Sequence, residues 1–329
     1  MSGVQKVRVT KDDDGIKLDR WFKRHYPGLS FIRIQKLMRK GDIRLDGKRV
    51  KGKEILEKGM IVRVPPLGDD AKTAPDGTAR KVIHISDDDA KMMQDSVLYR
   101  DDQVIVINKP AGLATQGGTG LTRHVDGMLD ALKFGKENRP RLVHRLDKDT
   151  SGVLLLGRSS NAAAFLTKAF QSKETDKRYW ALVVGTPSQR QGRIKMMMDK
   201  LPGKYGERMV ETPDGKPSLT DYFVVEHAAQ RASWLSLKPH TGRTHQLRLH
   251  CAEMGHPIVG DGKYGDREQD LTGAISRKLH LHARFLNFPH PDGGMITVTA
   301  PLPSHMEASF DTLGFDEREY IDLFTEELT

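Results

Sequence analysis

The sequence is poor in cysteine, in aromatic residues and in long apolar stretches. Only one of its 329 residues is a cysteine, Cys251, so no disulfide can form within the chain and a disulfide-stabilised fold is excluded. Aromatic residues make up 6% of the chain, and no apolar run approaches the length of a membrane span. The first ten residues, MSGVQKVRVT, lack the apolar part of a secretory signal. We therefore expect a cytoplasmic protein that has no contact with a membrane.

Charge is what the sequence has in abundance. Charged residues make up 29% of the chain, and the formal net charge is +9. Residues 16–65 contain 15 Lys and Arg against 5 Asp and Glu, a local net charge of +10, so the rest of the chain is close to neutral. A basic excess confined to one short segment is typical of a nucleic-acid-binding module. The length, with 37% hydrophobic residues, predicts two domains with a linker and a tail.

The basic segment 16–65 has the pattern of a small α+β module. Apolar spacing predicts a first helix around Trp21 and a second that begins after Ser30 as N-cap and ends at Gly41. The turn Asp46-Gly47 then joins two short strands. This order resembles an S4 RNA-binding domain, while the alternative is a solvated basic helix without a ligand. The residues expected to bind RNA lie on the polar side of the second helix: Arg33, Lys36, Arg39 and Lys40.

The stretch HRLDKDTSG at 144–152 places a charged turn before the apolar run 153–156, which predicts a buried strand. Asp147 lies between Arg145 and Lys148. Nearby cations favour the ionised carboxylate that a nucleophile or a general base needs. The alternative is a structural turn in which the carboxylates bond to the loop backbone. The residues alone leave both interpretations open.

Three further segments combine a predicted strand with polar residues. NKPAG at 108–112 follows an apolar strand and is a turn by its proline and glycine, and Tyr179 lies in the strand-like run 177–184. After a third strand, Thr244 is suited to cap a helix that carries Arg248 at the edge of its buried face. From composition alone, a tyrosine in such a strand is a core residue.

Four histidines near this last segment invite a metal-site interpretation. Their spacing matches no zinc motif and no cysteine pair accompanies them, so we favour a site without metal. The four are His240, His245, His250 and His256.

HRLDKDTSG resembles the signature of the RluA-type pseudouridine synthases, in which the aspartate of HRLD is catalytic. NKPAG, KRYWALVVG at 177–185, TGRTHQLRLH at 241–250 and HPIVGDGKYG at 256–265 are similar to further segments of that family, in the same order. The resemblance covers residues from about 16 to about 303. It implies isomerisation of uridine to pseudouridine in RNA, with no cofactor and no metal.

The resemblance also implies roles for individual residues. Asp147 would attack the ribose or act as a base there, Tyr179 would lie against the target uracil, and Arg248 would pair with Asp147. The target nucleotide has to leave the RNA helix, and Arg145 is the candidate to fill the space that it vacates. We expect the substrate-binding residues to be Arg145, His144, Lys109 and His245.

The fold that the resemblance implies is α+β. A small S4-like α+β domain at 16–65 is expected to precede a linker at 66–95, ordered in part near 82–85, and a catalytic domain at 96–303 with a mixed, largely antiparallel sheet flanked by helices. A helical tail at 304–329 would follow.

The substrate expected from these features is large-subunit (23S) ribosomal RNA, because GGTG at 117–120 and the S4-like module both resemble family members that act on it. We expect a monomer. The alternatives are a member that acts on tRNA, a different carboxylate enzyme such as a glycosylase, and a non-catalytic factor for ribosome binding or assembly.

Overall fold

The computed structural model describes residues 3–68, 71, 85–118, 121–201, 208–265, 271, 274–321 and 324. The chain forms two compact units, Met1–His84 and Ile85–Thr329. The core of the first unit and the cores of the second share no residues. Within the described residues, no helix is long and apolar enough to cross a membrane.

The first unit packs two helices against a small antiparallel sheet, whose strand order is β1-β4-β2-β3. The sequence predicted the succession of helix, basic helix and hairpin, but it did not predict the first strand. The elements are β1 (Gln5–Arg8), α1 (Leu18–His25), α2 (Phe31–Lys40), β2 (Arg44–Leu45), β3 (Lys48–Arg49) and β4 (Ile61–Val64).

Local interactions confirm the predicted ends of α2 and the predicted turn. The Ser30 hydroxyl accepts a hydrogen bond from the backbone N–H of Arg33 at 3.3 Å, and Gly41 ends the helix with a φ of 78°. Asp46 and Gly47 both have positive φ, 46° and 79°. Two such residues are what a two-residue hairpin needs if its twist is to match that of the strands.

The second unit is built on one sheet of eleven strands within the described residues. The strand order is β11-β10-β12-β13-β9-β14-β8-β6-β5, with β15 beside β14 and β7 beside β8. Every pairing is antiparallel except that of β14 with β8, which confirms the mixed, largely antiparallel sheet. The strands are β5 (Val97–Arg100), β6 (Val104–Lys109), β7 (Arg141–Leu142), β8 (Ser151–Gly157), β9 (Asp176–Val184), β10 (Gln191–Leu201), β11 (Arg208–Glu211), β12 (Lys216–Ala228), β13 (Ala232–Pro239), β14 (Leu281–Pro289) and β15 (Met295–Thr299).

Helices cover both faces of this sheet. Side chains alternate along a strand, so Ala181 of β9 packs with Cys251 of α6, while its neighbour Trp180 packs with Phe310 of α7 on the opposite face. The helices are α3 (Asp87–Asp95), α4 (Val125–Met128), α5 (Ser160–Gln171), α6 (Gln246–Glu253) and α7 (Ser304–Leu313). The central strands are therefore buried on both sides and form a rigid frame.

Helix α3 lies where the sequence analysis expected linker. Its acidic run, residues 87–89, forms the first turn, where negative charge is favoured by the helix dipole, and Ser86 caps it. Met93 of this helix is fully buried. The second unit thus begins at Ile85, and residues 82–84, which we expected to be partly ordered, lie outside the described residues.

The C-terminal segment is helical, as expected, but it is not a separate tail. Phe310 of α7 and the later Phe315 and Tyr320 surround Trp234, with ring centroids 5.0, 6.4 and 6.1 Å away. Because this aromatic cluster belongs to a core of the second unit, the segment is part of that unit.

Candidate active site

The loop 143–150 connects β7 to β8, near the middle of the large sheet. β8 is buried along its whole length. Gly152 at its start has a φ of 110°, and a Cβ atom at this position would lie 2.2 Å from the carbonyl oxygen of Ala283 on β14. A residue other than glycine cannot occupy the position without displacing β14, so the end of the loop is fixed against the sheet.

The backbone is held on both sides of Asp147. Before it, the Thr115 hydroxyl forms two hydrogen bonds with the backbone of Leu146. The hydroxyl donates to the Leu146 carbonyl at 2.6 Å and accepts from the Leu146 N–H at 3.1 Å. After it, the carbonyl of Lys148 accepts a hydrogen bond from the ammonium of Lys109 at 3.0 Å. These contacts are buried or partly buried, and all of them are made by the backbone of the residues next to Asp147. The Asp147 side chain is therefore not needed to hold the loop in place.

Lys109 supports this loop from within the protein. It was expected to bind substrate, but it is fully buried, and its three N–H groups also reach the carbonyls of Pro110 at 2.9 Å and Leu113 at 2.8 Å. Desolvation lowers the pKa of Lys109, and the negative charges of Asp149 and Asp147 offset only part of this effect. The net pKa is about 7. Its amine is enclosed by three backbone carbonyls and has no exposed surface, so in this structure Lys109 supports the loop.

His144 is also structural in this arrangement, although it was expected to bind substrate. Its Nε2 accepts the backbone N–H of Leu155 at 3.0 Å, and its ring stacks on Phe170 of α5 with centroids 4.4 Å apart. Burial, with a smaller contribution from the charge of Lys177, lowers the pKa of His144 to about 3. The ring is therefore neutral. His144 follows the end of β7 in the chain, and its side chain accepts a hydrogen bond from the backbone of β8.

The Asp147 side chain is 28% exposed, which leaves it accessible from solvent. Its Oδ2 lies 4.0 Å from Nε2 of His245. The neighbouring side chains of Arg145, Lys148 and Asp149 are exposed, and that of Arg145 forms no ion pair with any residue in the described part of the chain. The loop therefore combines a fixed backbone with side chains that are open to a large ligand.

Tyr179 lies on β9 between Leu237 of β13 and Ala283 of β14. It packs against two of the core clusters, at the position where they meet on one face of the sheet. Burial, and secondly the negative charge of Asp147, raises the pKa of Tyr179. The phenol therefore remains protonated at neutral pH, close to the Asp147 carboxylate.

The segment that leads into α6 brings His245 to this position. Thr244 was predicted to cap the helix, but His245 occupies the N-cap in a left-handed conformation with φ 52°, and its side chain does not cap. The buried Gln246, the first residue of the helix, accepts the N–H of Arg243 with its Oε1 at 3.1 Å and so holds the segment that precedes the helix. The His245 ring thus points away from the helix end, with Nδ1 2.9 Å from the hydroxyl of Tyr264.

The predicted ion pair between Arg248 and Asp147 is not formed. Arg248 is buried on α6 and makes two hydrogen bonds to Asp261, from Nε at 2.7 Å and from Nη2 at 2.6 Å. The Asp261 side chain is fully buried and also accepts the backbone N–H groups of Lys263 and Tyr264. A buried carboxylate requires a cation more than the partly solvated Asp147 does, so Asp261 takes the guanidinium. Arg248 remains close enough for the charge of Asp147 to contribute to its raised pKa.

The four histidines of this region have separate partners. Among the described residues, no group of His, Cys, Asp and Glu is arranged to hold a metal ion. The partners are Asp221 for His240, Tyr264 for His245, Ser218 for His250 and the carbonyl of Val184 for His256.

Comparison with known proteins identifies the family. Residues 103–253 match the family model described as RNA pseudouridylate synthase. The ribosomal large subunit pseudouridine synthases C of Salmonella typhi and Escherichia coli are each 36% identical to the chain, over 94% of this chain and 97% of theirs. The chain belongs to the RluA-type pseudouridine synthases. This synthase is therefore an isomerase that acts on RNA.

Other relatives of the synthase carry different names. The mitochondrial RNA pseudouridine synthase 4 of Arabidopsis thaliana is 34% identical over 95% of this chain and 82% of its own. Among solved structures, human RNA pseudouridylate synthase domain containing 4 superposes with a TM-score of 0.58 at 26% identity, covering 68% of this chain and 95% of that one. Human RNA pseudouridylate synthase domain containing 1 superposes with a TM-score of 0.53 at 31% identity, covering 65% and 86%.

Three residues that support the site of the synthase were not singled out in the sequence. Thr115 lies in a loop far from Asp147 in sequence, and Asp261 and Tyr264 lie in HPIVGDGKYG, a segment noticed only for its resemblance. The useful signal was in that segment, because an aspartate between two glycines directly after an apolar pair needs a cation if it is buried.

Proposed function

We propose that this synthase converts specific uridines of large-subunit (23S) ribosomal RNA into pseudouridine. Two relatives that match nearly the whole chain carry the name of a large-subunit enzyme. Half of the GGTG segment on which the sequence argument also drew lies outside the described residues. Because another relative is named as a mitochondrial synthase, the experiment below includes tRNA as an alternative substrate.

The observation that carries the proposed mechanism is the Asp147 loop, in which a partly exposed carboxylate is mounted on a backbone that is fixed on both sides. In this mechanism the target nucleotide leaves the RNA helix, and Asp147 attacks C1′ of the ribose or removes a ribose proton. The bond from C1′ to N1 breaks and the uracil turns. C5 then bonds to C1′ while Asp147 leaves C1′ or returns the ribose proton that it removed. N1 gains a proton and C5 loses one, so the atoms balance without a cofactor.

Tyr179 and Arg145 complete the proposal for the nucleotide. The uracil stacks on the face of the Tyr179 ring. The protonated hydroxyl of Tyr179 is a hydrogen-bond donor near the reacting base. The exposed Arg145 side chain, next to Asp147 in sequence, occupies the space from which the nucleotide came. Arg248 acts on Asp147 through its charge while Asp261 holds it.

The basic helix α2 is proposed to bind the RNA backbone, as the resemblance to an S4 domain implies. Ile34 and Met38 face the core of the first unit. The basic residues lie on the opposite side, where their charges are available to phosphates. The exposed residues are Arg33, Lys36, Arg39 and Lys40.

The test is release of tritium from RNA labelled at C5 of uridine. The protein is incubated with transcripts of large-subunit rRNA, small-subunit rRNA and tRNA, alongside Asp147→Ala and Asp147→Asn. We expect release from large-subunit rRNA alone and at least a thousandfold loss of rate in both variants, since a nucleophile or base cannot be replaced by solvent. RNA affinity should stay within about threefold of wild type, because Lys and Arg contacts dominate it. Turnover by Asp147→Ala would remove Asp147 from the mechanism, and release from tRNA alone would replace the proposed substrate.

A further inference from the structure

A chain of hydrogen bonds runs behind His245. The buried hydroxyl oxygen of Tyr264 accepts the backbone N–H of Met209 at 3.1 Å and lies 2.9 Å from Nδ1 of His245. On its other side, His245 directs Nε2 at Asp147, 4.0 Å away. The Tyr264 hydroxyl is thus connected to the candidate catalytic carboxylate through a single imidazole ring.

The direction of these bonds follows from the number of protons. The phenol has one proton to donate, and the Met209 N–H already donates to its oxygen. In the part of the chain that the structure describes, Nδ1 of His245 is the acceptor within reach of that proton. If Nδ1 carried a hydrogen, the oxygen would receive two N–H donors while its own proton had no acceptor in a buried position, which is costly. Desolvation raises the pKa of Tyr264, so the phenol does not avoid this cost by ionising.

The backbone supports the same arrangement. His245 has the left-handed φ of 52°, which is uncommon for a residue with a side chain. Its carbonyl accepts the N–H of Leu249 at 3.0 Å, so this conformation is locked into the first turn of α6. A locally strained backbone that aims one ring at both Tyr264 and Asp147 indicates that the ring's direction matters.

We propose that Tyr264 is a positioning residue that fixes the neutral His245 as the tautomer with its proton on Nε2, so that His245 presents a hydrogen-bond donor to the Asp147 side of the site. The inference rests on the proposed catalytic role of Asp147. The separation of 4.0 Å is longer than a hydrogen bond, so the donor serves a ligand group that binds beside both side chains, and in the proposed reaction that group is the ribose. With a proton on Nε2 and Nδ1 engaged by Tyr264, neutral His245 does not act as a base.

The first test is spectroscopic and does not depend on activity. The protein is labelled with 15N at histidine, and the two ring nitrogens of His245 are assigned by comparison with His245→Gln at a pH where the ring is neutral. We expect a protonated Nε2 and a bare Nδ1 that accepts a hydrogen bond. In Tyr264→Phe both tautomers should be populated. A protonated Nδ1 in the wild-type protein would overturn the proposal, whatever the activity of any variant.

The second test measures single-turnover tritium release. Tyr264→Phe should lower the rate about tenfold, the effect of one well-placed neutral hydrogen bond, and leave RNA affinity unchanged. Tyr222→Phe is the matched control, because Tyr222 is buried to a similar extent and its hydroxyl, among the described residues, donates to the carbonyl of Gln189 at 3.4 Å, away from His245. An equal loss in both variants would show a general packing effect and overturn the positioning role.

Replacement of His245 itself distinguishes the two nitrogens. The amide nitrogen of glutamine reaches the position of Nε2, whereas that of asparagine reaches the position of Nδ1. Both variants should be slower than wild type, and we expect His245→Asn to lose about tenfold more of the rate than His245→Gln. Asparagine tolerates the left-handed backbone better, so conformation alone would give the opposite order. That opposite order would refute the inference. If Asp147→Ala remained active, the proposed function would fail, while the tautomer of His245 would still be decided by the spectrum.

Discussion

The buried pair between Arg248 and Asp261 is the interaction on which the site should depend most for stability. Replacing Asp261 by Asn keeps the shape of the side chain and keeps Oδ1, which accepts from Nη2 of Arg248 and from the N–H groups of Lys263 and Tyr264. The change converts Oδ2 into an NH₂ group that faces Nε–H of Arg248, so a hydrogen bond of 2.7 Å becomes a contact between two donors. A buried guanidinium is left without its counter-charge.

The magnitude follows from the burial of both groups. The side chains of Arg248 and Asp261 are 9% and 0% exposed. Removing one partner of such a pair costs about 3–5 kcal/mol of unfolding free energy. In a unit of this size that corresponds to a fall of about 6–20 °C in the melting temperature. The exposed pair between Arg123 and Asp89 offers a control, since Asp89→Asn should cost less than about 1 kcal/mol.

The effect of pH has a defined sign. Burial alone would raise the pKa of Asp261, but the hydrogen bonds and the charge of Arg248 outweigh it, and the net pKa is lowered. The stability that the carboxylate contributes is therefore fully present above its unfolded pKa of about 4 and is lost as pH falls through the folded value. The difference between wild type and Asp261→Asn should be largest near neutral pH and shrink in acid. Urea unfolding from pH 7 to pH 3, followed by fluorescence, measures it. Equal stability of the two proteins at pH 7 would refute the reasoning.

Three further changes test the loop, the stacking residue and the basic helix. Lys109→Met leaves the carbonyls of Pro110, Leu113 and Lys148 without their donor, so tritium release should slow at least tenfold with unchanged RNA affinity, as filter binding measures. Equal loss of affinity would instead mean a direct RNA contact. At Tyr179, Phe should retain more of the single-turnover rate than Ala, which loses stacking worth about 1–3 kcal/mol; the reverse order would contradict stacking. Changing Arg33, Lys36, Arg39 and Lys40 together to Gln should reduce the slope of log affinity against log salt by about 3. Lys168→Gln on α5 is the control, and a slope unchanged in the quadruple variant would exclude α2 from RNA binding.

Local signals in the sequence were sufficient for the elements that depend on neighbouring residues. Ser30, Gly41 and the turn Asp46-Gly47 each act through their own backbone conformation or through a contact three residues away, so the pattern predicts them well. The apolar runs likewise predicted β6 and β8. Such signals do not reach across the chain. The strand order of the sheet, which brings β14 next to β8, was therefore not predicted, and the family resemblance supplied only the mixed, largely antiparallel character.

In the candidate site, too, the local motifs were predicted and the long-range contacts were not. Asp147, Tyr179 and His245 were named from motifs, and the structure brings them together at one face of the sheet. The partner of Arg248 was wrongly predicted, because sequence shows which groups are charged but not how deeply each is buried. Asp261 is enclosed and Asp147 is not, and that difference decides which carboxylate pairs with the guanidinium.

Lys109 and His144 show why polar residues in motifs need not touch substrate. An ammonium group under the loop and a neutral imidazole against β8 use their donor and acceptor atoms on backbone groups. A loop with so many carbonyl and N–H groups cannot be held by apolar packing, since each buried polar group needs a partner. Supporting Asp147 through the backbone leaves both oxygens of its side chain uncommitted, as the proposed reaction with the ribose requires.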